Sequence, residues 1–288
     1  MSGWRKRLKR VGEAALIALA GLGASGPVSA ALAAFPVDGG LGMQPAATPL
    51  AEQVHEFHNL LLYLIAGIVL FVLALLIWVV LRYNKRAHPT PKKFSHNLLV
   101  EVVWTAVPIA ILVVIAVPSF KLLYKADVIP EADFTIKTVA QNWNWDYEYP
   151  DHGDFMFNSR LLPKEEAQAA GLPWLLAVNE HPVVPVGATV RLQVTAYDRL
   201  HAWTIPAFGV KIDAVPGRLN ETWFQPMKEG IYYGQCSEIC GPQHAYMPIM
   251  VEVVSQEAFD AWVARMQAEY AQADDAAPVA VARLERNR

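Results

Sequence analysis

Two membrane-spanning helices followed by an external all-β domain are what this sequence predicts, on three observations. Residues 59–81 and 98–120 are long apolar runs. A short basic segment lies between them. From about residue 130 the chain turns into short segments rich in Val, Thr, Tyr and Trp, broken by Gly, Pro and Asp.

The first run, Asn59 to Leu81, carries no charge, and the second, Leu98 to Phe120, carries only Glu101. Each exceeds the roughly 20 apolar residues that cross a bilayer as a helix. The alternative, a buried helical hairpin in a soluble protein, fits such long uncharged runs poorly. The predicted boundaries are a segment at 31–58, a helix at 59–82, a loop at 83–97 and a helix at 98–120. Arg82, Lys85, Arg86, Lys92 and Lys93 crowd the connection without an acid, which places it in the cytoplasm and both chain ends outside. Trp78, Tyr83, Phe120 and Tyr124 suit interfacial positions, and Pro108 implies a kink.

The first thirty residues read as a secretory signal. Arg5, Lys6, Arg7, Lys9 and Arg10 precede the apolar stretch Ala14 to Leu22, and Val28-Ser29-Ala30 forms a small-residue cleavage motif. An uncleaved anchor is the alternative, and with no Cys nearby a lipoprotein anchor is not expected. The net charge of −3 divides into +4 over residues 1–30 and −7 over the remainder. An acidic remainder argues against nucleic acid and suits a basic protein partner.

In the external domain, residues 130–271, the expected strands are Phe134 to Ala140, Trp143 to Tyr149, Thr189 to Ala196, Glu221 to Phe224, Gly230 to Gly234 and Met247 to Val254. Their length and punctuation suggest an antiparallel sandwich or barrel. Asp151 to Glu180, with the helix-like run Pro163 to Ala170, reads as an excursion from the sheet. Ser255 is placed to cap a last helix. Phe259, Trp262, Val263, Met266 and Tyr270 form its packing stripe, and residues 272–288 follow as a flexible tail.

The chemistry concentrates in GQCSEICGPQHAYMP. Cys236, Cys240, His244 and Met247 follow the spacing Cys-x3-Cys-x3-His-x2-Met, and no other cysteine exists. Thiolate, imidazole and thioether make a soft donor set that selects copper over hard cations. Two thiolates can bridge two metals, and sharing an electron between two metals lowers the geometric change on transfer. His201, at the end of a strand, and the Glu238 carbonyl, between the thiolates, are further candidates. A disulfide is the first alternative, because extracytoplasmic cysteines usually pair; it leaves His244 and Met247 unexplained. Structural zinc is the second, with Met a poor ligand. His55 and His58 precede the first span, and His88, His96, His152 and His181 lack matching ligands. Glu101, an ionisable group about one turn inside a span, marks either the mouth of a proton path or an interfacial carboxylate.

These motifs resemble subunit II of haem–copper cytochrome c oxidase of the mitochondrial and alphaproteobacterial aa3 kind. VEVVWTAVPI, NWNWDYEYP, HAWTIPAFGVKIDAVPGRLN and GQCSEICGPQHAYMPI carry the resemblance, which covers nearly all of the chain after the signal. It implies a two-helix transmembrane hairpin plus an all-β cupredoxin-like Greek-key barrel in a bacterial inner membrane, with the N-terminus and the copper domain periplasmic. It implies a dinuclear CuA centre on His201, Cys236, Glu238 (through its carbonyl), Cys240, His244 and Met247. It implies a magnesium or manganese shared with subunit I through the Glu238 side chain. The family's electron-accepting Trp maps to Trp143, its docking acids for cytochrome c to Glu148, Asp151 and Asp198, and its proton-path carboxylate to Glu101. Asn142-Trp143-Asn144-Trp145 departs from the family's Gln-Trp-Tyr-Trp, which bears on the docking surface. The alternative for Trp143 is a strand residue sharing a face with Trp145.

The expected activity is that of an enzyme subunit, passing electrons from cytochrome c to haem in subunit I and working with other oxidase subunits, lipid and no nucleic acid. Quinol oxidase subunits lack the copper ligands. Nitrous oxide reductase is soluble. A copper-delivery protein wants an exposed, exchangeable site.

Overall fold

The computed structural model describes residues 35–90 and 93–276. The expected signal peptide, residues 31–34 and the tail from 277 lie outside the described residues.

Helix α1 spans Pro49–Arg82, ten residues longer at its start than the apolar run. Proline suits the first helical turn, and Thr48 caps it by accepting from the Ala51 amide over 3.0 Å. The Thr48 hydroxyl donates onward to the Phe208 carbonyl over 2.7 Å, rooting the helix in the β domain. His55 and His58 therefore lie within the helix, not before it. Helix α2 spans Leu98–Asp127 and continues through Pro108 and Pro118. Asn97 caps it, and Glu101 folds back to accept from the Asn97 amide over 3.2 Å. The most apolar windows of both helices bury none of their residues within the chain. That excludes a hairpin hidden in a soluble core and fits side chains facing lipid.

The β domain has ten strands and two further helices. In order they are β1 Phe134–Gln141, β2 Asn144–Tyr149, β3 Phe155–Ser159, α3 Lys164–Ala169, β4 Val183–Pro185, β5 Val190–Ala196, β6 His201–Ile205, β7 Val210–Ala214, β8 Asn220–Phe224, β9 Gly230–Gln235, β10 Pro248–Val254 and α4 Gln256–Ala276. One sheet runs β3-β2-β1-β5-β8, a second β4-β10-β9, and β6 pairs with β7. Strict alternation in β5 buries Val190, Leu192, Val194 and Ala196. In β2 it buries Trp145, Tyr147 and Tyr149. The buried rings are tied by polar tips: Trp203 Nε1 donates to Tyr147 Oη over 3.1 Å, and Tyr149 Oη donates to the Val183 carbonyl over 2.8 Å.

Three expectations need correction. The sheets are mixed rather than antiparallel, because β1 pairs with β5 and β4 with β10 in parallel. The long excursion between β1 and β5 is the crossover that parallel pairing requires. That excursion is also partly in the sheet, since β3 pairs with β2 from Trp145↔Ser159 to Tyr149↔Phe155. Its burial does not alternate, which hid it. Trp143 is not in β2 but in the turn after β1, so it shares no strand face with Trp145. Ser255 does cap the last helix, accepting from the Ala258 amide over 3.3 Å. Phe259, Val263 and Met266 are buried against the sheet. The α4 backbone stays helical to Ala276, beyond the expected start of the tail.

Candidate metal centre

The site forms where β6 meets the loop between β9 and β10. Close approach comes first: a Cβ on Gly234 would overlap the Thr204 carbonyl, so only glycine lets β9 lie against β6 here. The Ser237 amide donates to the Ala202 carbonyl over 3.1 Å, fixing the loop on β6. The Cys236 amide donates to the Met247 carbonyl over 3.1 Å, closing the loop at its base.

This frame brings five of the six expected donors together. Cys236 Sγ lies 3.8 Å from Cys240 Sγ, 3.9 Å from His201 Nδ1 and 3.4 Å from the Glu238 carbonyl oxygen. Cys240 Sγ lies 3.6 Å from His244 Nδ1. Met247 is buried at the foot of the loop. A sulfur–sulfur bond is about 2 Å long, so the cysteines are free and the disulfide alternative is not what the fold holds. Two thiols, each beside an imidazole nitrogen, with a carbonyl oxygen near Cys236, make a donor set that fits a pair of soft metal ions.

Electrostatics prepare the site unevenly. Burial pushes the Cys236 thiol up, but the hydrogen bond with His201 and contacts with the Ala202 and Glu238 backbone outweigh it and bring it down to about 6. Burial and the charge of Cys236 push Cys240 up to about 12. His201 is fully buried, and burial opposes its protonation. Its bonds to Cys236 and Asp198 win and raise its pKa. Asp198 Oδ1 sits 3.0 Å from His201 Nε2, which turns Nδ1 toward Cys236.

Other predicted residues fall in different places. Trp143 stands beside the loop, its Nε1 donating to the Cys240 carbonyl over 3.3 Å. Glu148 pairs with Lys137 over 2.7 Å, and Asp151 accepts from the Thr135 amide over 2.7 Å. Glu148 is four residues beyond the start of β2, about 13 Å along the strand, and Asp151 is further still. They do not join the site. A shallow cleft beside Trp143 is lined by Asn142, Asn144, Arg160, Leu161, Gln243 and Tyr246, a neutral to basic rim. Asp198, expected as a docking acid, also bonds the imidazole of His201, a contact that its spacing three residues before His201 signals. Glu101 faces a groove with Val102, Thr105, Ala106 and Ile109 while it caps α2.

Comparison with known proteins decides the family. The family model for the transmembrane domain of cytochrome c oxidase subunit II matches residues 36–122, and that for its periplasmic domain matches residues 134–254. A probable cytochrome c oxidase subunit 2 of Rickettsia bellii is 52% identical over 81% of this chain and 86% of its own length. The chain belongs to the cytochrome c oxidase subunit II family. The subunit of Cereibacter sphaeroides is 46% identical over 79% of this chain and 80% of its own. The crystal structure of the periplasmic domain of subunit II of cytochrome oxidase from Bradyrhizobium japonicum is 49% identical. It covers 50% of this chain and 99% of that one, with a TM-score of 0.47. Membership makes the chain a membrane-bound part of an oxidoreductase complex, with a two-helix hairpin and a cupredoxin-like β domain. The family implies a CuA centre, and His201, Cys236 and Cys240 gather their ligand atoms within 4.8 Å of one another.

Proposed function

We propose that the chain accepts electrons from cytochrome c at a dinuclear CuA site and passes them to haem in subunit I, where dioxygen is reduced to water and protons are translocated. Cys236 and Cys240 would hold the copper pair, with His201, His244, Met247 and the Glu238 carbonyl as further ligands. The observation that carries this reading is the run of donor atoms from His201 through Cys236 and Cys240 to His244, at spacings of 3.6 to 3.9 Å. A bound copper pair supplies one-electron redox chemistry at such a site.

The protein's part is to keep the ligands still. Asp198 orients His201. The Ser237 amide fixes the start of the thiol loop on β6 and the Cys236 amide ties that start to Met247 at its end, so little backbone moves when charge changes. Trp143, half-buried and bonded to the Cys240 carbonyl, is the surface residue through which electrons are taken up. Glu148 and Asp151, with Asp198 nearer the site, steer a basic cytochrome c toward this face. The Glu238 side chain would supply a carboxylate ligand to a magnesium or manganese ion shared with subunit I. Glu101 lies at the entrance of a proton path, on the cytoplasmic side if the loop charges direct insertion, which leaves the copper domain periplasmic.

The test is electron uptake by the assembled oxidase. Trp143→Phe slows transfer from reduced cytochrome c by about tenfold, since rates fall steeply with misplacement, while copper content is unchanged. Uptake at the wild-type rate would remove Trp143 from the path.

A further inference from the structure

The outer side of the thiol loop is gripped by a side chain that no ligand role uses. Arg199 lies between β5 and β6, two residues before His201. Its Nη1 donates to the Cys240 carbonyl over 3.2 Å, and its Nε donates to Asp198 Oδ2 over 3.2 Å. Its guanidinium carbon lies 5.9 Å from the centroid of the Trp143 indole. Trp143 Nε1 donates to the same Cys240 carbonyl, so both lone pairs of that oxygen are engaged. The other oxygen of Asp198 holds His201.

The backbone beneath is bare where these side chains meet. Gly241 has φ +117°, and a Cβ there would come within 2.9 Å of Arg199 Nη1 and 3.5 Å of Trp143 Cζ2. An exposed arginine ordinarily stays mobile in water. This one is 45% exposed yet bonded to a carbonyl and a carboxylate beside an indole. A planar guanidinium presents several donors in a fixed fork and lies against an aromatic ring. A lysine ammonium has neither the fork nor the plane.

We propose that Arg199 is a positioning residue that seats the Trp143 indole on the Cys240 carbonyl and couples that seat to the Asp198–His201 pair. Its link to electron transfer rests on the reading of Trp143 given above. The seat itself does not.

The experiment uses the full chain in detergent, labelled with 5-fluorotryptophan, and the assembled oxidase. Fluorine NMR identifies the Trp143 resonance by its loss in Trp143→Phe. In Arg199→Met this resonance moves toward the solvent-exposed position, reflecting an about tenfold smaller seated population from loss of a charged hydrogen bond and a cation–π contact. Arg199→Lys does not restore it. In the oxidase, Arg199→Met lowers the first-order rate of electron uptake within the cytochrome c complex while copper content stays the same. An unmoved resonance overturns the proposal. So does a change confined to the bimolecular docking step and its salt dependence, which would make Arg199 a surface charge only. If the resonance moves but neither Arg199→Met nor Trp143→Phe slows uptake, the seat stands and the role of Trp143 fails.

Discussion

The β domain and the helical hairpin are built from much the same apolar residue types, yet they hide them differently. In the domain, Trp145, Trp203, Tyr147, Phe208 and Phe224 are fully buried. In the hairpin, α2 buries no side chain, and α1 buries only Leu50 and Ala51, at the end that enters the domain. The domain completes its own core and its own metal loop. The hairpin is completed by what surrounds it, lipid and the other oxidase subunits. Stability and site geometry are therefore expected to depend on the domain, and assembly on the hairpin.

The largest test of that division compares one truncation in each region. Trp203→Ala removes a buried ring that bonds Tyr147 and lowers domain stability by about 3–5 kcal/mol. Leu112→Ala, on the exposed surface of α2, changes it by no more than about 0.5 kcal/mol. Denaturant unfolding of the full chain, followed by near-ultraviolet circular dichroism, reads both. Equal losses would break the distinction.

A smaller effect probes whether the domain orients its own ligands. Asp198→Asn keeps the size of the side chain but weakens its hold on His201 Nε2. Copper affinity, measured by competition with a chelator, falls by about 10- to 100-fold. Unchanged affinity would return Asp198 to a docking role alone.

The smallest concerns the pair between His181 and Glu252, 3.1 Å apart where β4 meets β10. The hydrogen bond from His181 holds the Glu252 carboxyl below its ordinary value of 4.5. A depressed carboxylate contributes stability above its unfolded value and loses it as pH falls through the folded one. The pair is solvent-screened, so Glu252→Gln costs less than about 1 kcal/mol at neutral pH, and the difference vanishes in acid. A pH-independent difference in melting temperature would mean that packing, not charge, is at work.

Much of this was legible in the residues because the signals were local. Uncharged runs mark spans, the Cys-x3-Cys-x3-His-x2-Met spacing marks a soft-metal loop, and Ser255 marks a helix start. What was not legible depended on partners distant in sequence. β6 is buried on nearly all sides, so it shows no alternation, and its strand character comes from β7 and the thiol loop. The start of α1 at Pro49 depends on Phe208, 160 residues from Thr48. Trp143 and Trp145 look alike in sequence, but the turn after β1 sends one to the Cys240 carbonyl and the other into the core. Asp198 reads as a docking acid and no motif singles out Arg199, until the fold sets one against His201 and the other against Cys240.

Cys236 and Cys240 are proposed to hold two coppers jointly. The most direct measurement is copper content and electron paramagnetic resonance of the purified oxidase, compared with Cys240→Ser. Two coppers on this subunit, near-infrared absorption, and hyperfine structure from one unpaired electron shared equally by two copper nuclei are expected, all lost in the variant. A single-copper spectrum in the wild type, or a site without copper after careful reconstitution, would contradict it.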